Sequence, residues 1–360
     1  MPLLLILFLS LPGVNNLGDR VYYVDGRSLS LGGISSLISS GNNPACFCLI
    51  DRISLSITPS YARTSEHRGL RVYDSYGNNI GVSTISKSTD GNIGVAAGAA
   101  VIPIKGFRAG FQYAPLWAFD YYYRREYRDD FFQLFRVEIH EYTGSLYSLA
   151  PALSFAYKFL SIGIREDFIQ GNKDALITIV KPDLPDSVIQ QNESFEGKLT
   201  RAGIMIKPNE HLALAYSYSS EHSVDCKETA LRLNYPASHT IGCSYQPAAR
   251  IPTRFYGEYC REMWSNALNI YKIGIEHMIV QNYSIRYGFC VFPDYKQSAI
   301  WTTVLSIGGG YQTKKINFDI AYSYNKRDYS SNDFTSLKDL GNIEIDESSS
   351  IFLISLSLIL

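Results

Sequence analysis

The stretch Ile316-Asn317-Phe318-Asp319-Ile320-Ala321-Tyr322-Ser323-Tyr324-Asn325 decides the fold. In an extended chain successive side chains point to opposite faces, so Ile316, Phe318, Ile320, Tyr322 and Tyr324 share one side and Asn317, Asp319, Ala321, Ser323 and Asn325 the other. One face seeks an apolar medium and the other seeks water. The same period of two returns in Leu212–Ser219, in Tyr283–Val291, and in Leu153, Phe155, Tyr157 and Phe159 set against Ala152, Ser154, Ala156 and Lys158. Phe107, Ala109, Phe111 and Tyr113 alternate likewise with Arg108, Gly110 and Gln112. Helical spacing is scarce, so the class is all-β.

Alternation by itself suits a soluble sandwich as well as a membrane barrel. Three features favour the barrel. The polar rows carry small residues and isolated charges, and tyrosines sit near the ends of the apolar rows, as in an aromatic girdle. Each alternating run has the length that a tilted membrane strand needs. Short connections such as Lys207–Glu210 and Tyr235–Ser238 alternate with long polar ones, Gly171–Glu193 and Asp328–Ser348. Within lipid a backbone group finds a partner only on the next strand, so the strands must close into a ring with an even count. The expectation is a transmembrane antiparallel β-barrel of roughly fourteen strands over residues 50–360, the last being Ser350–Leu360. On that reading Phe318→Arg is costly, whereas Asp319→Lys, on the lumen side, is tolerated better.

The composition agrees with such a barrel. The chain has 360 residues with 27 Tyr, 18 Phe, 4 Met and 3 Trp, and aromatic residues of this kind favour strands that meet a membrane boundary. A net charge of −1 leaves no basic surface for nucleic acid. Met1–Leu11 is almost wholly apolar and is stopped by Pro12-Gly13 and Asn15-Asn16. That run is too short for a membrane helix and predicts a removable export signal over residues 1–18, with the bacterial outer membrane as destination. The six cysteines, at 46, 48, 226, 243, 260 and 290, show no CxxC pair or metal-ligand spacing, and read as small apolar fillers.

Residues 19–49 are different. Leu29, Ile34, Leu37 and Ile38 lie near helical spacing, interrupted by Gly32-Gly33 and stopped by Asn43-Pro44. The segment is too short to fold alone, yet its apolar residues need cover, which predicts a small hatch inside the barrel. Here the chain resembles the FadL-type outer-membrane transporters of hydrophobic compounds and their PorV-like relatives associated with secretion. The family's opening pattern, small residue and Arg, then Gly-Gly, then Asn-Pro-Ala, is met by Gly26-Arg27, Gly32-Gly33 and Asn43-Pro44-Ala45. Later strands are similar at Lys272–His277, Ile285–Gly288 and Leu305–Tyr311. Two positions depart from it: Cys46-Phe47 stands where Gly-Leu is usual, and the chain ends on Leu360 rather than an aromatic residue. The resemblance implies a fourteen-stranded barrel with an N-terminal hatch, in which Gly32, Gly33, Asn43, Pro44 and Ala45 shape the channel. It implies passage of a lipid-like molecule, such as a long-chain fatty acid, toward a lateral or periplasmic exit.

No catalytic pattern such as HExxH, GxSxG or a phosphate loop is present, and the histidines are scattered singly. No catalytic, cofactor or metal site is therefore expected. Arg108, Arg165, Arg232, Arg286 and Asp319 are assigned to the lumen, either as salt bridges across a filled barrel or as a carboxylate-binding set. Trp117–Arg128 reads as an upper aromatic girdle that meets lipopolysaccharide. Expected partners are membrane lipids, lipopolysaccharide and a hydrophobic small molecule. Three functions remain open: a passive channel with an apolar pocket, a secretion-associated or structural barrel that binds secretion proteins, and a soluble β-protein.

Overall fold

Backbone hydrogen bonds between neighbouring strands build most of the wall. The structure, a computed structural model, describes residues 19–21, 25–38, 41–129, 131–182, 184–248, 252–280, 282–294, 298–331 and 343–360. The expected signal lies outside the described residues. Fourteen antiparallel strands form a closed ring in chain order. They are β1 (Ser54–Tyr73), β2 (Asn79–Ile104), β3 (Phe107–Ala118, continued by Tyr121–Arg128), β4 (Leu134–Tyr157), β5 (Leu160–Lys181) and β6 (Leu184–Ile206). There follow β7 (Leu212–Ser219, continued by His222–Cys226), β8 (Arg232–Tyr235, continued by Ser238–Tyr245), β9 (Thr253–Glu262) and β10 (Leu268–Val280). β11 (Tyr283–Pro293), β12 (Trp301–Gln312), β13 (Ile316–Ser331) and β14 (Ile343–Ile359) complete the wall. Pairing of β14 with β1, from Ile343↔Leu70 to Ile359↔Ser54, closes the ring.

The alternation in β13 sorts the two faces. Phe318, Ile320, Tyr322 and Tyr324 are exposed on the outside, whereas Ala321 and Ser323 are each 1 % exposed inside. Leu356 and Leu358 of β14, Leu305 and Ile307 of β12, and Leu55 and Ile57 of β1 continue the exposed apolar belt.

Strand length is uneven around the ring. β2, β4 and β6 run 26, 24 and 23 residues, whereas the first part of β7 has 8. A membrane crossing needs only about 9–11 residues, so the long strands stand well clear of the membrane on the side opposite the chain's C-terminus. There the pattern inverts. Trp117, Phe119, Leu146, Phe195, Leu233 and Tyr235 pack together inside the wall, and Tyr123 packs with Ile343 and Ile345. Above the lipid the apolar row packs on a protein core and the polar row meets water.

This inversion corrects several expectations. Arg232 does not face the lumen: it lies on the outside, 3.2 Å from Asp225, with both side chains 62 % exposed, while Leu233 and Tyr235 take the inner face. Trp117, Phe119 and Tyr123 are not a lipid girdle but interior residues. A register shift between Pro115 and Trp117 turns that part of β3 over, because one extra residue exchanges the faces. Gly171–Glu193 is not a loop but the paired end of the β5–β6 hairpin, from Gly171↔Phe195 to Lys181↔Leu184. Tyr235–Ser238 is a break within β8 rather than a turn, since Pro236 has no N–H to give to the ladder. Much of Asp328–Ser348 is paired as the tips of β13 and β14, and 332–342 lie outside the described residues.

Candidate functional site

The N-terminal segment lies across the barrel interior, held by side chains and backbone at its own level. Asp25 caps a five-residue helix α1 (Gly26–Ser30), accepting from Ser28 N at 2.6 Å. The chain then turns through Gly32 and Gly33, both at left-handed φ of 76° and 79°, a conformation that costs glycine least. Gly32 is required twice over, because a Cβ there would strike the backbone of Phe289. Asn43 opens the short 3-10 turn Pro44–Leu49, its Oδ1 accepting from Ala45 N at 3.0 Å and its Nδ2 donating to Ser36 O at 2.8 Å. Pro44 fills the first turn position, where no N–H is needed. Ala45 and Phe47 are fully buried.

Three charge clusters on the wall, and Arg108 below them, grip this segment. Arg27 pairs with Glu276 of β10 at 2.8 Å, Glu276 with Arg286 of β11 at 2.7 Å, and Arg286 with Asp319 of β13 at 2.5 Å. Glu258 of β9 accepts from the backbone N–H of Ser35 and Ser36 at 2.9 and 2.7 Å, and pairs with Lys272 at 2.8 Å. The Lys272 ammonium also donates to Gly33 O at 2.7 Å. On the far side Arg201 donates to Asn42 Oδ1 at 2.6 Å and pairs with Asp167, which also holds Arg165. Arg108 sits at the short-turn end, donating to Ile50 O at 2.6 Å and to Asp51.

Wall glycines make the close approach possible. A Cβ on Gly288 would overlap Gly32 N, on Gly203 the Asn43 carboxamide, on Gly163 Pro44 and Ala45, and on Gly110 the Phe47 ring. Gly274 and Gly242 do the same for Leu31 and for Ser36 with Leu37. Alternation in the sequence does not single out these glycines, nor Glu258, Lys272 and Glu276. Their signal is a small or charged residue on the inner row of each strand at one common level.

Above the segment lies a cavity of about 490 Å³. Leu29, Gly32 and Gly33 form its floor. Its side is two adjacent rows of cross-strand partners, Cys290–Val304–Asn325–Ser349–Thr64–Asp90 and, below it, Ser306–Ser323–Ile351–Ala62–Asn92. The lining is more apolar than polar: Leu29, Val95, Ala96, Phe292, Val304 and Ile351 alternate with small hydroxyl-bearing residues such as Thr64, Ser323 and Ser349. Small side chains leave the space, and most of the bulky apolar ones of these strands are committed to the lipid belt outside. At its upper rim Arg327 is held by Glu347 at 2.9 and 2.8 Å, with Asp294 beside it.

The cavity reaches a lapse in the wall. β2 and β3 are paired only from Gly98↔Tyr113 to Ile104↔Phe107. Beyond that point the two-residue strand Asp19–Arg20 takes the edge of β3 at Ala118 and Trp117. Higher still the gap is bridged by Asn92 Nδ2 donating to Asp120 Oδ2 at 2.6 Å and Ser86 Oγ donating to Arg124 O at 2.8 Å. Val95 and Tyr113, from the outward rows, join Val21 and Pro115 in the cavity lining here, so the cavity extends to this gap.

No protein-family model matches the sequence, and no curated protein does. Solved structures do match. A FadL homologue of Pseudomonas aeruginosa superposes over 95% of this chain and 99% of its own, with a TM-score of 0.66 at 14% identity. The toluene transporter TodX of P. putida matches over 94% and 99%, with 0.68 at 13% identity. The toluene transporter TbuX of Ralstonia pickettii matches over 96% and 99%, with 0.61 at 13% identity. The fold of this chain is therefore the fourteen-stranded, FadL-type transmembrane β-barrel.

Proposed function

We propose that this chain is a passive outer-membrane channel for small hydrophobic molecules, which enter the cavity from the outer face and leave sideways through the gap between β2 and β3. The observation that carries this reading is the continuity of the 490 Å³ cavity with that gap, where Val95 and Tyr113 of the lipid-facing rows line the same space as Leu29 and Gly32. A volume of this size suits a small ligand. The N-terminal segment acts as a hatch: it closes the axial route, because a ring of fourteen strands is wider than wall side chains alone fill. Toluene is the cargo in the names of two of the similar structures, and a molecule of that kind fits here by size. A crystal soaked with a brominated hydrocarbon tests the reading. Anomalous density between Leu29 and Val95 is expected, and density confined to the outer belt would contradict it.

A second reading, a secretion-associated scaffold, is favoured by the tall strands, which carry apolar clusters on their inner face above the membrane. It requires no bound hydrocarbon and no sideways opening, so the same crystal separates the two.

A further inference from the structure

The short-turn end of the barrel is basic. Its connections, with the strand ends beside them, the entry to β1 and the end of the chain, are residues 51–53, 104–108, 157–160, 206–211, 246–254, 280–283, 312–316 and 359–360. They hold nine of the 33 Lys and Arg but only Asp51 and Glu210 of the 34 Asp and Glu, besides the terminal carboxylate. Asp51 is already taken by Arg108, at 3.0 Å. Arg52, Lys105, Lys158, Lys207, Lys314 and Lys315 are exposed, and no acid among the described residues forms an ion pair with any of them. They are spread around the rim, from β1 through the β2–β3, β4–β5 and β6–β7 turns to β12–β13, rather than gathered on one side.

A separate observation is the backbone under two of these lysines. The two-residue loops Lys105-Gly106 and Lys158-Phe159 join β2 to β3 and β4 to β5. Lys105 and Lys158 have left-handed φ of 40° and 53°, a region that only one other non-glycine among the described residues, Phe132, enters. Asn or Gly adopts it at less cost. Lysine therefore stands at both tips against the local backbone preference, so the cation rather than the turn accounts for the residue. Both tips also border the lipid belt: Phe107 and Tyr157 beside them are exposed, and Lys158 Nζ lies 5.3 Å from the centre of the Tyr157 ring.

We propose that this rim binds the phosphate groups of anionic phospholipids in the inner leaflet of the outer membrane. The short turns of a bacterial barrel face the periplasm, which places these side chains at the inner head groups. A lysine there lays its stem along the apolar belt while the ammonium reaches a phosphate, and each such cation adds to the attraction of an anionic surface. An acidic soluble protein docks on one patch, whereas a ring of lipid meets the barrel from every side, as these residues are arranged. The inference goes beyond the channel reading and does not depend on it.

The test uses the purified protein reconstituted in phosphatidylcholine vesicles with spin-labelled phosphatidylglycerol or spin-labelled phosphatidylcholine as probe. The fraction of label immobilised at the barrel surface, read by electron spin resonance, is expected to show phosphatidylglycerol associating about threefold or more strongly than phosphatidylcholine. Salt at about 0.5 M is expected to remove most of that preference. So is the combination Lys105→Asn, Lys158→Asn, Lys314→Gln and Lys315→Gln, in which Asn suits the left-handed φ and heat-modifiable migration on gels reports the folded barrel. The control, Lys198→Gln with Arg261→Gln, removes exposed cations eight residues from the short-turn ends of β6 and β9 and is expected to keep the preference. Equal association of the two lipids with the unaltered protein overturns the proposal and leaves the rim to a soluble acidic partner. A preference that survives salt, persists in the fourfold variant or is lost in the control overturns it as well.

Discussion

The carboxylate of Glu258, on the wall, accepts the backbone N–H of Ser36, on the N-terminal segment, at 2.7 Å. The same oxygen takes the Ser36 hydroxyl at 2.6 Å, while the other pairs with Lys272. All of these groups are buried. Glu258→Ala would leave the Lys272 ammonium uncompensated, and removing one partner of a buried pair costs about 3–5 kcal/mol. The segment is expected to loosen before the wall does, since no pairing between wall strands depends on it. Faster proteolysis between Leu29 and Ala45 with an intact, heat-modifiable barrel on gels is the expected result. Unchanged protection would show that the segment is held elsewhere.

Gly288→Val places a side chain where Gly32 N now lies. Overpacking of a tight contact costs about 1–3 kcal/mol, and here only the segment can move. Ion conductance across planar bilayers is expected to rise, as it is for replacement of Asn43-Pro44 by Ala-Ala. Gly257→Ala, where a Cβ meets nothing within 4 Å, is the control and leaves conductance unchanged.

Phe318→Arg or Ile320→Arg puts a charge in the lipid belt and is expected to cost about 2–4 kcal/mol near the midplane in reversible unfolding from lipid. The neighbouring inner position is not the mild one that alternation suggests. Asp319 pairs with Arg286, so Asp319→Lys sets two cations together inside the wall. It is expected to destabilise by an amount similar to the lipid-face changes, with Asn317→Lys, two residues nearer the short-turn end, costing less. Equal tolerance of Asp319→Lys and Asn317→Lys would argue against the ion cluster.

What the sequence makes legible is the part of the chain that lipid disciplines. Ile316–Asn325 and the rows like it face oil on one side and a filled interior on the other, so their period of two states both the element and its orientation. Above the membrane the outer medium is water and the same alternation has the opposite sense, which is why alternation alone puts Arg232 and Trp117 on the wrong faces. Lys173, Glu193 and their neighbours in the β5–β6 tip are paired although polar residues there hide the strand pattern. Of the candidate site, Gly32-Gly33 and Asn43-Pro44-Ala45 are visible as backbone punctuation. The glycines they press against are not, because Gly163 and Gly288 lie far away in the chain and only ring closure brings them to one level.

The most direct test of the channel is uptake of radiolabelled toluene by cells whose lipopolysaccharide-bearing outer membrane carries either this protein or its Gly94→Trp variant. Gly94 lines the sideways gap, and a Cβ there would meet only the Ser60 hydroxyl, at 3.8 Å, so the indole fills the gap without disturbing the wall. The account predicts faster uptake with the unaltered protein than with empty vector, and a return to the empty-vector rate with Gly94→Trp at equal barrel abundance. Uptake that is as fast with Gly94→Trp as without it, or no faster with the protein than with empty vector, would contradict it.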